Sequence, residues 1–325
     1  MKILVLHPGA LGDLILSLPA LGALRRRFPR AEITLAGNLD YLRVVSHGHA
    51  DSLASLSTLP LHRLFAPGML TADDRLFWQS YERIACWMGA GDREFTRNLT
   101  GANPKTLISC WKPVPGESRH VSQIFIDSLG TWIGDPNVPS PAEIRLRPED
   151  RLSAETWLRR QGWTPDRAVI AIHPGAGSAT KRWPLARFQA LACEIVRGLG
   201  ADILLIEGPA EPGLARRVAE DLPAAYIAES LPLGVVSGAF SLCRGFIGND
   251  SGMAHLAAGL GLPSVTLFGS TSPEQWAPRG NRVMVLRDIR DCTPCKTGSQ
   301  GEHVCLGNIT VERVRAALKL TMDRQ

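Results

Sequence analysis

Lysine is scarce in this chain: Lys2, Lys105, Lys112, Lys181, Lys296 and Lys319 are all it has, and the remainder of its 36 basic residues are arginine. Against 31 acidic residues they leave a formal net charge of only +5. No basic stripe concentrates that charge, so the footprint of a nucleic-acid binder is missing while an anionic ligand stays permitted. Long apolar runs are also missing. None approaches the roughly 18 residues of a membrane span. The apolar start at residues 3–6 is too short for a signal-peptide core before it meets His7-Pro-Gly. These absences point to a cytoplasmic protein. The seven cysteines are an odd number, which favours free thiols or a metal site over a disulfide framework. What is present is an ordinary globular composition, 45% hydrophobic and 21% charged over 325 residues. That length suits two domains of about 150 residues, each burying its own core.

The organisation follows the apolar runs. Residues 2–7 read as a buried parallel strand, followed by the turn Pro8-Gly-Ala-Leu-Gly-Asp13. A helical pattern comes next, with Leu14, Leu18, Leu21 and Leu24 on one face and Arg25, Arg26 and Arg27 in its last turn. Pro19 is expected to kink or break it. Residues 31–36 read as a second strand, 73–88 as a helix, 105–111 as a strand and 118–133 as a helix. The proline-rich stretch 134–141 reads as the start of a linker and the place for a hinge. The chain then begins again. An apolar strand at 168–172 runs into His173-Pro-Gly-Ala176, echoing Leu6-His-Pro-Gly-Ala10 in the same strand-to-helix context. Downstream, helices and strands alternate: helix 184–197, strand 202–206, helices 211–221 and 233–242, strand 245–247, helix 252–260, strand 264–268. Such alternation specifies a parallel sheet covered on both faces. Residues 310–322 form an amphipathic helix with Thr310 as N-cap. The expected domains are 1–145 and 146–325, with the helix 310–322 packing back on the first.

Three segments carry chemistry. Gly248-Asn-Asp-Ser-Gly-Met-Ala-His255 lies where a strand ends and a helix starts. Helix-start N–H groups have no internal partner and favour phosphate. Ser251 adds a hydroxyl, and Gly252 lets the backbone approach a pyrophosphate. An N-capped helix packed through Ala and Gly fits the same residues. The second segment, His173-Pro-Gly-Ala-Gly-Ser-Ala-Thr-Lys-Arg-Trp-Pro184, places Thr180 and Lys181 in a glycine-rich loop before a helix. There the Lys181 ammonium suits a phosphate, or is simply solvated. The third is Gly9-Ala-Leu-Gly-Asp13. It lacks the Gly-x-Gly-x-x-Gly dinucleotide pattern. Its Asp13 either caps the first helix or takes a proton from an attacking hydroxyl.

Taken together, Leu11-Gly-Asp-Leu-Ile-Leu-Ser-Leu-Pro-Ala-Leu21, His173-Pro-Gly-Ala176 with Lys181-Arg-Trp-Pro184, and Asn249-Asp-Ser-Gly-Met-Ala-His255 resemble glycosyltransferase family 9, which includes the lipopolysaccharide core heptosyltransferases. The resemblance implies an α/β architecture of the GT-B fold, two Rossmann-like domains facing across a cleft. The C-terminal domain would hold the nucleotide-sugar donor and the N-terminal domain the acceptor. Inversion at the anomeric carbon without a divalent metal or other cofactor is implied as well. Asp13 matches the family's general base and Lys181 its phosphate-binding lysine. Asp250, Ser251, Gly252 and His255 match the donor-binding turn, and Glu211 resembles the acid that holds the ribose. Glu211 fits equally as an acidic first helical turn. Gly177 and Ser178 stand where many heptosyltransferases carry an acidic or aromatic residue, which leaves the donor sugar open.

Cys292-Thr-Pro-Cys295 with His303 and Cys305 offers four ligands to zinc or iron, as in related iron-binding protein heptosyltransferases, or else thiols in an ordered loop. Cys86, Cys110, Cys193 and Cys243 read as core. The expected activity is heptose transfer from ADP-heptose to a lipopolysaccharide core-type, lipid-linked saccharide acceptor, with peripheral contact at the inner face of the inner membrane. The rivals are another nucleotide sugar, a protein or other surface-glycan acceptor, and a nucleotide-sugar-binding protein without catalysis. Intact Asp13 and Lys181 favour an enzyme.

Overall fold

The computed structural model describes residues 1–68, 70–134, 142–208, 211–223, 225–288 and 304–323. The chain divides into two compact units, Met1–Arg145 and Leu146–Gln325. The expected hinge residues 135–141 lie outside the described residues.

The first unit runs β1 (Lys2–Leu6), α1 (Leu11–Arg27), β2 (Glu32–Gly37), α2 (Leu39–Val45), β3 (Ser52–Ser55), α3 (Ala72–Gln79), β4 (Arg83–Cys86), α4 (Arg93–Ala102), β5 (Thr106–Ile108) and α5 (Val121–Ser128). Its strands form a parallel sheet in the order β3-β2-β1-β4-β5. The central strand β1 is apolar because it is covered on both faces: Ile3, Leu4, Val5 and Leu6 have no solvent exposure. Helix α1 runs unbroken through Pro19. Leu16, Leu18, Pro19 and Ala20 are all buried, so packing carries the helix past one missing N–H. The single helix expected at 73–88 is instead α3, a bend and the strand β4. Ile84, Ala85 and Cys86 are buried in register beside Leu4, Val5 and Leu6 on one side and β5 on the other, a place only an extended segment can fill.

The second unit runs α6 (Pro148–Arg160), β6 (Val169–His173), α7 (Leu185–Leu199), β7 (Asp202–Ile206), α8 (Leu214–Ala219), β8 (Ala225–Ala228), α9 (Leu233–Phe240), β9 (Gly245–Asn249), α10 (Gly252–Gly259), β10 (Ser264–Phe268), α11 (Pro273–Trp276), β11 (Val283–Arg287), α12 (Val304–Gly307) and α13 (Val311–Asp323). Its parallel sheet has the order β11-β10-β9-β6-β7-β8. In both sheets the order reverses beside the first strand, between β1 and β4 and between β6 and β9. Open α/β sheets bind ligands at the carboxyl ends of strands flanking such a reversal.

Helix α13, capped by the Thr310 hydroxyl on the Arg313 amide at 3.3 Å, buries Val314, Ala317 and Leu318 in the core of the second unit, over α7 and β9–β11. Residues this apolar settle on the nearest core that buries them, here their own sheet. Cys305 is buried in that same core, in the cluster that holds Leu306 and Ile309. Cys292, Cys295 and His303 lie outside the described residues. Among the described residues, no group of three or more His, Cys, Asp or Glu side chains has metal-holding geometry. Cys110, expected in the core, is exposed because it lies just past the end of the short strand β5. Cys86 is buried, and burial pushes its thiol up to about 12.

Candidate functional site

In the second unit the chemistry gathers at the carboxyl ends of β6 and β9. These strands pair with His173 opposite Gly248, so the two loops leaving them start side by side. Asn249 ties the loops together. Its amide donates to the carbonyls of Pro174 at 2.8 Å and Gly175 at 3.2 Å, and its Oδ1 accepts the Trp183 N–H at 2.9 Å. The Asn249 side chain is fully buried, and each of these bonds replaces water that the loop would otherwise need. Trp183 in turn donates from Nε1 to the Ile309 carbonyl at 2.9 Å, anchoring the loop from below.

On this frame sits Lys181, at the end of the 3-10 turn Ala179–Lys181. Its Nζ donates to Asp250 Oδ2 at 2.8 Å, and the Thr271 hydroxyl donates to the same oxygen at 2.6 Å. Asp250 is buried while Lys181 keeps partial exposure. One of the three ammonium N–H groups is thus used for aiming, and two remain for a ligand. The next residue, Ser251, is the N-cap of α10 with extended backbone, yet its hydroxyl makes no cap hydrogen bond: Oγ is buried and has no hydrogen-bond partner among the described residues. Gly252 opens the helix, and His255 is buried in its first turn. Helix-start amides, an unengaged hydroxyl and an aimed ammonium together favour a phosphate.

Glu211 precedes α8, which begins at Leu214, so it is not part of a helical turn. Its Oε1 accepts the Ala176 amide at 3.2 Å. His173 is buried, its Nδ1 lies 3.0 Å from the Ile206 carbonyl, and burial lowers its pKa below the usual imidazole range. The structure thus joins Lys181, Asp250, Ser251 and Gly252 at one place and sets Glu211 on the adjoining loop. Thr180 is exposed and its hydroxyl pairs with Ser178 at 2.8 Å, so its side chain is not part of the Lys181–Asp250 group. Thr271 was not anticipated. Its signal was the hydroxyl-rich Gly269-Ser-Thr-Ser272 after an apolar strand.

In the first unit, Asp13 stands in the first turn of α1, half-buried, and its Oδ2 accepts the Ala10 amide at 3.0 Å. His7, at the end of β1, is buried against Trp87, Trp111 and Phe125. Burial lowers its pKa to about 4, so it is neutral near pH 7, and its Nδ1 accepts the Gly9 amide at 3.2 Å.

A family model described as glycosyltransferase family 9 (heptosyltransferase) matches residues 123–304, which hold both the Lys181 loop and the Ser251 turn. Lipopolysaccharide heptosyltransferase 2 of Salmonella typhimurium is 28% identical over 169 residues, 49% of this chain and 48% of that one. The chain spans about half the length of the curated relatives it matches. Among solved structures, a family 9 glycosyl transferase from Veillonella parvula superposes with a TM-score of 0.79 at 23% identity, covering 99% of this chain and 97% of that one. The ADP-heptose lps heptosyltransferase II of E. coli superposes with a TM-score of 0.78 at 18% identity, covering 99% and 98%. These likenesses establish the fold as the paired α/β arrangement of GT-B proteins. With more than half of its length matched by the family model, the chain belongs to glycosyltransferase family 9.

Proposed function

We propose that the chain is an inverting glycosyltransferase that moves a heptose from ADP-heptose to a lipid-linked, lipopolysaccharide core-type acceptor. The observation that carries this reading is the Lys181 ammonium, aimed by buried Asp250 beside the unpartnered Ser251 hydroxyl at the start of α10. The names of curated relatives such as lipopolysaccharide heptosyltransferase 2 of Salmonella typhimurium and lipooligosaccharide heptosyltransferase 2 of Haemophilus influenzae support the choice of sugar and acceptor class. In the proposed reaction an acceptor hydroxyl attacks the anomeric carbon and passes its proton to Asp13. The bond from that carbon to the diphosphate oxygen breaks as the new bond forms. The leaving oxygen keeps the electron pair, and Lys181 with the α10 amides stabilises its charge. Glu211 is proposed to hold the ribose hydroxyls of the donor. No helix among the described residues is long and apolar enough to cross a membrane. Contact with a lipid-linked acceptor is therefore proposed as peripheral, on the cytoplasmic side of the inner membrane.

Release of ADP from ADP-heptose, with transfer of the sugar to a heptose-free core acceptor, tests this reading. Donor binding without transfer or hydrolysis would favour a nucleotide-sugar-binding protein, and transfer from another nucleotide sugar would reassign the donor. Replacing Lys181 by alanine should weaken ADP binding, measured by calorimetry, by about 1.5–3 kcal/mol, the worth of a charge-assisted bond to phosphate. An unchanged affinity would remove Lys181 from the donor site. We further propose that no divalent ion takes part, because Lys181 and the α10 amides supply positive charge at the leaving group. Turnover should then survive EDTA. Loss of activity that magnesium or manganese restores would overturn that mechanism.

A further inference from the structure

The repeated words Leu6-His-Pro-Gly-Ala10 and Ile172-His-Pro-Gly-Ala176 fold into the same device, and each copy grips a carboxylate. In the first, the Ala10 amide donates to Asp13 Oδ2 at 3.0 Å. In the second, the Ala176 amide donates to Glu211 Oε1 at 3.2 Å. The glycine between histidine and alanine has no room for a side chain in either. A Cβ on Gly9 would lie 2.8 Å from His7 Cε1 and 3.0 Å from Asp13 Oδ2. A Cβ on Gly175 would lie 2.9 Å from His173 Cε1 and 2.7 Å from Glu211 Oε2. Real Cβ atoms avoid such separations, so an imidazole edge and a carboxylate close on the glycine from two sides. Each imidazole is itself held. His7 is packed by Trp87, Trp111 and Phe125, with Nδ1 accepting the Gly9 amide at 3.2 Å. His173 is buried with Nδ1 on the Ile206 carbonyl at 3.0 Å.

Helix capping accounts for one copy only. Asp13 is the third residue of α1, and an acid there commonly reaches back to the cap amide. Glu211 is 35 residues beyond Ala176 and belongs to no helix, so capping does not explain its presence on the Ala176 amide. Two carboxylates of different sequence origin arrive at the same amide of the same turn. We propose that the His-Pro-Gly-Ala turn is a carboxylate cradle used twice. His7 and Gly9 are positioning residues for Asp13, and His173 and Gly175 are positioning residues for Glu211. The functional consequence rests on the roles proposed above for those two acids. The first cradle then governs turnover, and the second governs nucleotide affinity.

The geometry has a test independent of activity. In protein carrying 15N-alanine, the Ala10 amide resonance should move with the titration of Asp13, and that of Ala176 with the titration of Glu211. D13N should abolish the first response and E211Q the second. Ala10 or Ala176 shifts that persist unchanged in those variants would overturn the cradle. Kinetically, G9A should lower kcat about a hundredfold, the cost of misplacing a reacting group by about 1 Å. G175A should weaken ADP binding about tenfold, as expected for one lost hydrogen bond. H7F keeps the aromatic packing but removes the acceptor for Gly9. It should lower kcat and, by loosening the turn that aims the Ala10 amide at Asp13, move the acid limb of the profile to higher pH, because a carboxylate whose amide donor is misplaced is harder to ionise. H7N, whose Oδ1 replaces the acceptor, should recover most of both effects. Where D13N has lost turnover, wild-type kcat and acid limb in folded H7F and G9A would also overturn the proposal for the first turn. Failure of the catalytic reading is separable: D13N would then retain turnover whether or not the Ala10 resonance responds.

Discussion

Asparagine at position 13 should lower turnover by about two to four orders of magnitude, the usual weight of a general base, while ADP binding and thermal stability stay near wild type. The substitution isolates the proton-accepting role because it preserves the others. The Asn Oδ1 can still accept the Ala10 amide that Asp13 Oδ2 holds at 3.0 Å, so the start of α1 remains capped. What asparagine lacks is the basicity to take the acceptor's proton. The carboxylate is also only half-buried, so its loss leaves no unpaired charge in the core. Steady-state transfer kinetics alongside calorimetric ADP titration decide the matter. Near-normal turnover in a protein that binds ADP normally would reduce Asp13 to a helix cap.

Alanine at Gly238 should be the more damaging change to stability. Helices α6 and α9 meet closely, and Gly234 and Gly238, one turn apart on α9, form the contact. A Cβ on Gly238 would overlap the carbonyl oxygen of Asp150 and lie 2.7 Å from its carbon and 2.8 Å from Ala154 Cβ. The obstacle is backbone, so no rotamer change relieves it and the helices must separate. Overpacking costs about 1–3 kcal/mol, and rigid backbone on the far side places this site at the upper end. Alanine's better helix propensity returns only about 1 kcal/mol. The net loss of about 2 kcal/mol should lower Tm by roughly 4–8 °C for a unit of this size. A melting temperature within a degree of wild type would show that α6 moves away from α9 at no cost.

Much of the fold was legible because parallel strands covered on both faces must be apolar throughout. Residues 3–6, 169–172 and 203–206 are short apolar runs of Val, Ile, Leu and, once, Ala, and all three lie fully inside their sheets. The strand at Arg83–Cys86 was not legible. Its buried part is only Ile84-Ala85-Cys86, directly after an amphipathic helix, and a run that short has no period by which to tell strand from helix. The outer strands β8 and β11 were missed for a related reason: they are partly exposed and their apolar signal is diluted. Among cysteines, spacing grouped Cys305 with residues that lie outside the described ones, and the structure adds that it is buried in the cluster of Leu306 and Ile309.

The sequence by itself determined the alternation of strand and helix, the glycine-bearing turns after the first strand of each half, and the residue types able to meet a phosphate. Those are local properties, written in contiguous residues. Only the tertiary structure decided which of them act together. Lys181 and Asp250 are 69 residues apart, and Thr271 stands 21 beyond Asp250, yet all three meet on one carboxylate oxygen. They meet because β6, β9 and β10 lie side by side in the sheet, a strand order that no local pattern encodes. The same holds for the repeated His-Pro-Gly-Ala. Sequence displays the echo, but the acid each copy holds comes from three residues away in one half and 35 in the other. Chain separation carries no information about that choice; the register and order of buried strands do.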